Sequence, residues 1–396
     1  MSEKKRMINS DLEDRMTLDW QGTRAFFYGM GYNDADIEKP RVGIMNTWNE
    51  INPGHIHQQP LAQAVREGII EKGGLPFLFY GVNLCDCVGG GDFVLPSRDL
   101  LVNEIELNAK AHHLDAMVLI GTCDKVVPAM LMAAGRVNIP TVIVTGGYME
   151  TPYLDGEHVD FIDIGASISK VKEGKMSMEK FNELIHVCGP CKGACGMMGT
   201  ANTMSMLTET MGMSLPGNST TAAVSGKLIN LSREAGRHVM DLWEKNIRPR
   251  DIITEKAIIN AIRVCMAIGG SSNTIIHIPA VATEACLDMD CSSIYAEASC
   301  EVPLLIGIRP NDFIHVHGFH LTHLTTAPFL KQPNNNGVYR IGLSVSPCHT
   351  SLFVGVPKET TRAFLTQIHD APISPNRFAL CDTTIIIIPA QIRGYS

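Results

Sequence analysis

Between residues 40 and 147, short apolar runs rich in β-branched residues alternate with segments of helical periodicity. The apolar runs predict strands over residues 42–45, 77–84, 116–120 and 141–144. The intervening segments predict helices over residues 60–72 and 98–111, the second with Ser97 as its N-cap. Strands that alternate with helices are typical of crossover units, so the pattern predicts an α/β fold with a parallel sheet flanked by helices.

The pattern changes twice along the rest of the chain. Residues 188–275 are rich in methionine and alanine at helical spacing and predict a helical extension of the α/β domain. After about residue 310 neither helical nor strand periodicity is clear, and the segment predicts irregular structure. We therefore expect one domain over residues 1–310 and a divergent or truncated segment over residues 311–396.

Composition and charge narrow the functional classes. The chain has 396 residues, of which 45% are hydrophobic, and a formal net charge of -8. That charge argues against nucleic acid or an anionic membrane surface as the main partner. No apolar run approaches the roughly 20 residues of a membrane span, and the N-terminus lacks the apolar core of a signal peptide. These features favour a globular protein of the cytoplasm.

Polar and thiol side chains follow the predicted strands. Cys85, Asp86 and Cys87 come after the second strand, and the run from Cys123 to Lys125 comes after the third. Ligands of open parallel sheets bind at the carboxyl ends of the strands, where the loops converge. Two carboxylates at that edge, Asp86 and Asp124, would suit Mg²⁺, although an isolated loop aspartate more often caps a helix or a turn.

The remaining candidate ligands have competing interpretations. Lys125 is either half of an ion pair with Asp124 or, with its amine neutral, a carbamylated metal ligand. Cys188, Cys191 and Cys195 lie in a glycine-rich segment at spacings that suit an iron–sulfur cluster or zinc. A four-histidine patch is a weaker zinc candidate, at His315, His317, His320 and His323.

Six motifs in order resemble the dihydroxy-acid, phosphogluconate and sugar-acid dehydratase family. All six lie between residues 46 and 273 and follow the order of the family. They are residues 46–55 (NTWNEINPGH), 95–98 (LPSR), 123–133 (CDK and MLMA), 200–204 (TANTM), 215–217 (LPG) and 269–273 (GGSSN). Dihydroxy-acid dehydratase is the most similar branch. The resemblance covers the N-terminal domain of that family and ends near residue 305.

The resemblance implies a set of cofactor ligands. Cys123 and Cys195 are implied ligands of a [2Fe-2S] or [4Fe-4S] cluster, with Cys85, Cys87 or Cys191 open as a third ligand. The same resemblance implies that Asp86, Asp124 and a carbamylated Lys125 bind Mg²⁺.

The implied reaction is the loss of water from a small 2,3-dihydroxy acid such as 2,3-dihydroxyisovalerate, giving a 2-keto acid. The resemblance thus implies a hydro-lyase of branched-chain amino-acid biosynthesis. It also implies a homodimer or homotetramer. A sugar-acid dehydratase acting on gluconate or xylonate is the alternative, and a catalytically inactive homologue is another. A redox sensor built on the cysteines near residue 191 remains a third hypothesis.

The sequence also departs from the family pattern. Gly54 stands where many relatives have a cluster cysteine, and Cys87 stands where they have glycine. Relatives continue into a β-barrel-like domain that supplies a glutamate ligand and a catalytic serine base. We recognise neither that domain nor the serine base in residues 311–396, so we expect the chain to lack both.

Overall fold

The computed structural model describes residues 17–89 and 91–290, together with three strands beyond residue 328. Contacts divide the chain into two compact units, Met1–Cys265 with Gly270–Ser292, and Met266–Gly269 with Ser293–Ser396. The predicted boundary near residue 310 lies outside the described residues and stays a prediction. None of the described helices is long and apolar enough to cross a membrane.

The first unit contains a four-stranded parallel sheet and the helices around it. Its elements in chain order are α1 (Gln21–Gly29), α2 (Asp34–Ile37), β1 (Arg41–Asn46), α3 (Gln58–Glu71), β2 (Leu75–Tyr80), α4 (Val94–Ala111), β3 (Ala116–Gly121), α5 (Val126–Val137), β4 (Thr141–Thr145), β5 (Tyr153–Leu154), β6 (Glu157–His158), α6 (Phe161–Lys172), α7 (Met178–Cys188), α8 (Thr200–Thr210), α9 (Gly226–Lys245), α10 (Pro249–Ile252), α11 (Glu255–Ala267) and α12 (Thr274–Glu284). The last two residues of α11 fall in the second unit.

The strands lie in the order β2-β1-β3-β4, so β1 and β3 are central. Every residue of β1, β3 and β4 is buried, because helices cover both faces of the sheet. On one face, Val42, Ile44, Val118 and Ile120 pack with α3 and α9 in a single apolar core. The predicted α/β class and parallel sheet are therefore confirmed.

Two predicted boundaries are wrong. Strand β2 ends at Tyr80 and not at residue 84, because it is an edge strand whose pairing with β1 stops at Asn46. Ser97 does not cap a helix: α4 begins at Val94, and the Ser97 hydroxyl donates to the Val94 carbonyl at 2.6 Å. Cys85 therefore comes five residues after the strand, on a loop and not at the strand tip.

Beyond residue 328, the described residues of the second unit form an antiparallel sheet of three strands, β7 (Phe329–Lys331), β8 (Val338–Val345) and β9 (Thr350–Pro357). Tyr339 pairs with Val356 and Leu343 with Leu352, so β8 and β9 pair along their whole length. The prediction of irregular structure after residue 310 did not include these strands. The alternation of apolar and other residues along 338–345 is typical of a strand.

Candidate active site

Four cysteine side chains form a row at the carboxyl edge of the sheet. Neighbouring thiols of this row shift one another's pKa values: Cys123 with Cys85, Cys85 with Cys87, and Cys87 with Cys195. The four residues come from three segments: the loop after β2, the loop after β3, and the glycine-rich segment before α8. We call these four residues the thiol row.

The members of the thiol row differ in how readily they ionise. Hydrogen bonds from Cys123 and Cys87 lower the pKa of Cys85, and a hydrogen bond from Cys87 lowers the pKa of Cys195. The same contacts raise the pKa values of Cys87 and Cys123, and burial adds to both increases. Easily ionised thiols thus alternate with thiols that keep their protons.

The segment from Asn52 to His55 positions Cys123. Asn52 Oδ1 accepts a hydrogen bond from the Cys123 thiol at 3.4 Å, and also from the Gly54 backbone N–H at 2.9 Å. A Cβ atom on Gly54 would lie 2.7 Å from Cys123 Sγ, closer than van der Waals contact permits. Any side chain larger than glycine at this position would therefore require the Cys123 sulfur to move.

His55 is buried under the same loop and holds the backbone of Cys123. Its Nε2 accepts from the Cys123 N–H at 3.1 Å, which leaves Nδ1 to donate to the Thr47 carbonyl oxygen at 2.9 Å. This pairing needs the neutral imidazole. Burial lowers the pKa of His55 from 6.5 to about 3, with a smaller opposing contribution from Thr47.

The buried histidine predicts acid sensitivity. The unfolded chain protonates this imidazole below about pH 6.5 while the folded chain does not, so the free energy of unfolding falls as the pH falls from 6.5 towards 3. From pH 6.5 to pH 5 the loss from one such group is about 2 kcal/mol. Burial also lowers the pKa of His57, which acts in the same direction.

Urea unfolding between pH 5 and pH 7.5 tests this prediction. His55→Gln should flatten the pH dependence of the unfolding free energy, whatever it does to the value at pH 7. The matched control is His186→Gln, because His186 is exposed on α7. Equal slopes for wild type and His55→Gln would contradict the assignment.

Asp86, Asp124 and Lys125 form a second cluster beside the thiol row. Lys125 Nζ lies 2.6 Å from Asp124 Oδ1 and 3.8 Å from Asp86 Oδ2, and the lysine side chain is only 9% exposed. The two carboxylates that the sequence placed at one edge therefore do lie at one point. We call these three residues the acid cluster.

The two carboxylates of the acid cluster are electrostatically unequal. Burial and the neighbouring charge of Asp124 raise the pKa of Asp86, and Lys125 only partly offsets them. Burial is the largest single effect on Asp124 and opposes its ionisation, but His277 and Lys125 together outweigh it and lower the pKa. A divalent cation bound here would relieve the repulsion that Asp86 experiences.

His277 completes this side of the site and was not among the residues that the sequence predicted for it. Arg98 Nη1 donates to His277 Nδ1 at 3.2 Å, so Nε2 carries the proton and is directed at Asp124 Oδ1, 3.8 Å away. That separation exceeds a hydrogen bond, and Nε2 is buried without a partner. Burial lowers the pKa of His277, an effect partly offset by Asp124.

The other predicted ligands lie apart from these clusters. Cys188 donates to the Asp160 carbonyl oxygen at 3.0 Å, and Cys191 Sγ accepts from the Glu150 N–H at 3.3 Å. The three cysteines of the glycine-rich segment therefore have different partners, with Cys195 alone in the thiol row. The histidine patch at residues 315–323 lies outside the described residues.

Asn202 fixes the backbone around Cys195. Its side-chain amide donates to the carbonyl oxygens of Cys195 and Met197, both at 2.7 Å. Asn273 donates to the Thr200 hydroxyl at 2.9 Å and so ties the start of α8 to the glycine-rich turn before α12. Both asparagines satisfy polar groups of the protein itself.

The donor sets fit the implied cofactors chemically. Thiolates are the ligands of iron–sulfur clusters, and paired carboxylates suit Mg²⁺. Within residues 17–89 and 91–290, however, no three His, Cys, Asp or Glu side chains already surround one point as a metal requires. An iron–sulfur cluster would replace the interactions between the thiols. A cation would take the place of the Lys125 ammonium.

A family model described as dihydroxy-acid/6-phosphogluconate dehydratase N-terminal matches residues 39–322. The chain belongs to this dehydratase family. The matched residues include the thiol row, the acid cluster and His277, so the site described above lies wholly within the family's N-terminal domain. The resemblance seen in the sequence motifs is thereby confirmed.

Curated relatives are named dihydroxy-acid dehydratases. The one from Methanosphaera stadtmanae is 44% identical over 291 residues, which cover 72% of this chain and 53% of the relative. Dihydroxy-acid dehydratase 1 of Methanosarcina acetivorans is 42% identical over 72% of the chain and 52% of its own length. The Oleidesulfovibrio alaskensis protein is 38% identical over 82% of this chain and 59% of its own length. The chain thus spans about half the length of these dehydratases.

Proposed function

We propose that this chain acts as a hydro-lyase that converts a 2,3-dihydroxy acid, of the 2,3-dihydroxyisovalerate type, into a 2-keto acid. The observation that carries the proposal is the adjacency of the thiol row and the acid cluster, which meet at consecutive residues Cys123 and Asp124. A substrate bound there would lie beside both the thiols that suit an iron–sulfur cluster and the carboxylates that suit Mg²⁺. The relatives' names support the same reaction.

Cys123 and Cys195 are the proposed ligands of an iron–sulfur cluster, either [2Fe-2S] or [4Fe-4S]. Cys85 is the best-placed third ligand, because it lies against Cys123 and has a lowered pKa that favours the thiolate. Cys191 is less favoured, since its sulfur contacts the Glu150 N–H instead. The cluster would supply a Lewis acid for the hydroxyl group that leaves C3.

Asp86, Asp124 and Lys125 are the proposed ligands of Mg²⁺, with Lys125 as a carbamate. Its buried side chain lies between two carboxylates, and a carbamate there would turn a cation into a third oxygen ligand. Mg²⁺ would supply positive charge that acidifies the C2 proton. Arg98 holds His277 with its Nε2–H towards the same space, where it can donate to a substrate oxygen.

The full chain, reconstituted anaerobically with iron and sulfide in the presence of Mg²⁺, tests this function. Visible absorption and iron content report the cluster, and keto-acid formation from 2,3-dihydroxyisovalerate, gluconate and xylonate reports the reaction. Cys123→Ser should reduce bound iron to about a tenth or less, whereas Cys286→Ser, an exposed cysteine outside the thiol row, should retain it.

The outcomes separate the candidate functions. Keto acid from 2,3-dihydroxyisovalerate supports the proposal, and keto acid from gluconate or xylonate alone favours a sugar-acid dehydratase. A cluster without any product favours a catalytically inactive homologue. Failure to bind iron in every preparation would overturn the proposal.

The wider context follows from the same proposal. A dehydratase of this kind would act in branched-chain amino-acid biosynthesis in the cytoplasm, on a small-molecule acid and without nucleic acid or membrane as partner. We also propose self-association as a homodimer or homotetramer. Sedimentation of the full chain checks the oligomeric state independently of activity.

A further inference from the structure

Two buried asparagine side chains connect Thr47, the residue after β1, to the sulfur of Cys123. Asn83 Nδ2 donates to the Thr47 carbonyl oxygen, and Asn52 Nδ2 donates to Asn83 Oδ1 at 2.9 Å. Asn52 Oδ1 accepts from the Cys123 thiol at 3.4 Å. Asn52 is 2% exposed and Asn83 is 6% exposed, so groups of the protein, and not bulk water, determine the direction of both amides.

Backbone groups at the two ends of this chain of amides allow one orientation. The Thr47 carbonyl oxygen can only accept, so Asn83 presents its NH₂ group to it and its oxygen to Asn52. The Gly54 backbone N–H can only donate, and Asn52 Oδ1 accepts from it at 2.9 Å. Reversing either amide would bring oxygen against oxygen or N–H against N–H in a buried place. The oxygen of Asn52 is therefore the atom that faces Cys123.

Gly54 leaves the space in which this oxygen and the sulfur meet. A Cβ atom at position 54 would lie 2.7 Å from Cys123 Sγ and 3.2 Å from Asn52 Oδ1. The backbone of Asn52 is held as well, because its N–H donates to Asn49 Oδ1 at 2.8 Å. Both the backbone and the side chains of the loop after β1 therefore fix the contact between oxygen and sulfur.

An oxygen beside a cluster sulfur has a definite electrostatic effect. Reduction adds an electron to an iron–sulfur cluster, and N–H groups directed at the sulfurs stabilise the added negative charge, which raises the reduction potential. The negative end of a carbonyl dipole acts in the opposite direction, so it lowers the potential. Oxidised iron carries more positive charge and is the stronger Lewis acid for a departing hydroxyl group.

We propose that Asn52, oriented by Asn83, is a positioning residue that holds a carbonyl oxygen against the Cys123 sulfur and favours the oxidised state of a cluster bound there. The inference rests on the proposed function, in which Cys123 is a cluster ligand. The two asparagines act through the sulfur and not on the substrate. Their contact would keep the proposed Lewis acid in the form that accepts the hydroxyl group leaving C3.

Infrared spectroscopy measures the contact without iron. In the iron-free full chain, the S–H stretching band of Cys123 is the band that is lost in Cys123→Ser. A thiol that donates a hydrogen bond absorbs at a lower frequency than a free thiol. Asn52→Leu should therefore move this band to higher frequency, whereas Asn52→Asp, which keeps an oxygen at the same place, should not. An unchanged band in Asn52→Leu would overturn the proposal.

Redox titration of the reconstituted full chain with dithionite, followed by visible absorption, measures the effect on the cluster. Asn52→Leu should make one-electron reduction at least tenfold more favourable, a rise in potential of about 59 mV. Asn52→Asp should shift the potential at least as far in the opposite direction, because a full negative charge replaces the negative end of a dipole. A merely structural role does not predict shifts of opposite sign.

Asn49→Asp is the matched control. Asn49 lies in the same loop, and its oxygen accepts from the backbone N–H groups of Ile51 and Asn52, which an aspartate oxygen can also do. The variant thus adds the same charge away from the sulfur, and it should shift the potential by less than about a third of the Asn52→Asp shift. Asn83→Leu should give a smaller rise than Asn52→Leu, since Gly54 alone still orients Asn52.

The outcomes separate this inference from the proposed function. Shifts of the same sign in both Asn52 variants, or no shift in either, would overturn the electrostatic role. A potential in Asn83→Leu equal to that of wild type would remove Asn83 from the proposal. If no preparation binds iron, the proposed function fails and the effect on the cluster fails with it, while the infrared result still decides the contact.

Discussion

Replacing Gly236 with alanine should lower the free energy of unfolding by about 3 kcal/mol. A Cβ atom at this position of α9 would lie 2.2 Å from the Val65 carbonyl oxygen and 3.0 Å from the Ile69 nitrogen, both backbone atoms of α3. Backbone cannot move aside as a flexible side chain can, so the two helices must separate. Their separation would loosen the core that supports the sheet.

The contact is reciprocal, which makes the expected loss large. A Cβ on Gly68 of α3 would lie 2.1 Å from the Arg233 carbonyl oxygen of α9. Urea unfolding followed by circular dichroism measures the change. Gly226→Ala, in the first turn of the same helix with no neighbour within 4 Å, is the matched control and should be nearly neutral. Equal unfolding free energies for Gly236→Ala and wild type would show that the close approach is not required.

Replacing Asp124 with asparagine should weaken the binding of a divalent cation by about 100-fold, or about 2.7 kcal/mol. Asp124 is the carboxylate with the lowered pKa, so it contributes a full negative charge across the neutral pH range. One unit charge about 4 Å from another contributes roughly 4 kcal/mol at an effective dielectric constant of 20. The neutral amide keeps the shape of the side chain and removes that attraction.

Electron paramagnetic resonance of Mn²⁺, used in place of Mg²⁺, measures this affinity without requiring turnover. Asp92→Asn is the matched control, because Asp92 is an exposed acid on the loop that also carries Asp86. Wild-type affinity should also decline as the pH falls through the raised pKa of Asp86, since the protonated acid no longer offers a charged oxygen. Unchanged cation affinity in Asp124→Asn would show that the acid cluster is not the cation site.

The order and class of the core elements could be predicted from the sequence for a definite physical reason. Strands buried on both faces are mostly apolar, and β1, β3 and β4 show this as nearly continuous runs such as residues 116–120. Parallel strands require crossover segments, which were visible as helical periodicity between the runs. The convergence of Asp86 and Asp124 followed from that topology, and their shared contacts with Lys125 agree with it.

Local pattern failed where an element's end depends on its neighbours. The apolar residues beyond Tyr80 continued the pattern of β2, but the strand ends where its pairing with β1 ends. Ser97 has the chemistry of an N-cap, yet α4 starts a turn earlier and uses the hydroxyl inside the helix. In both places hydrogen bonds of the folded chain, and not residue preference, set the boundary.

By itself, the sequence determined the α/β class, the family and the residue types available for chemistry, because all three are carried by short-range pattern and motif order. Only the tertiary structure decided which thiols meet. Cys191 is four residues from Cys195, but its sulfur accepts from the Glu150 N–H, whereas Cys87, more than a hundred residues away, lowers the pKa of Cys195. Side-chain direction and the meeting of distant loops depend on packing, and no spacing along a chain encodes them.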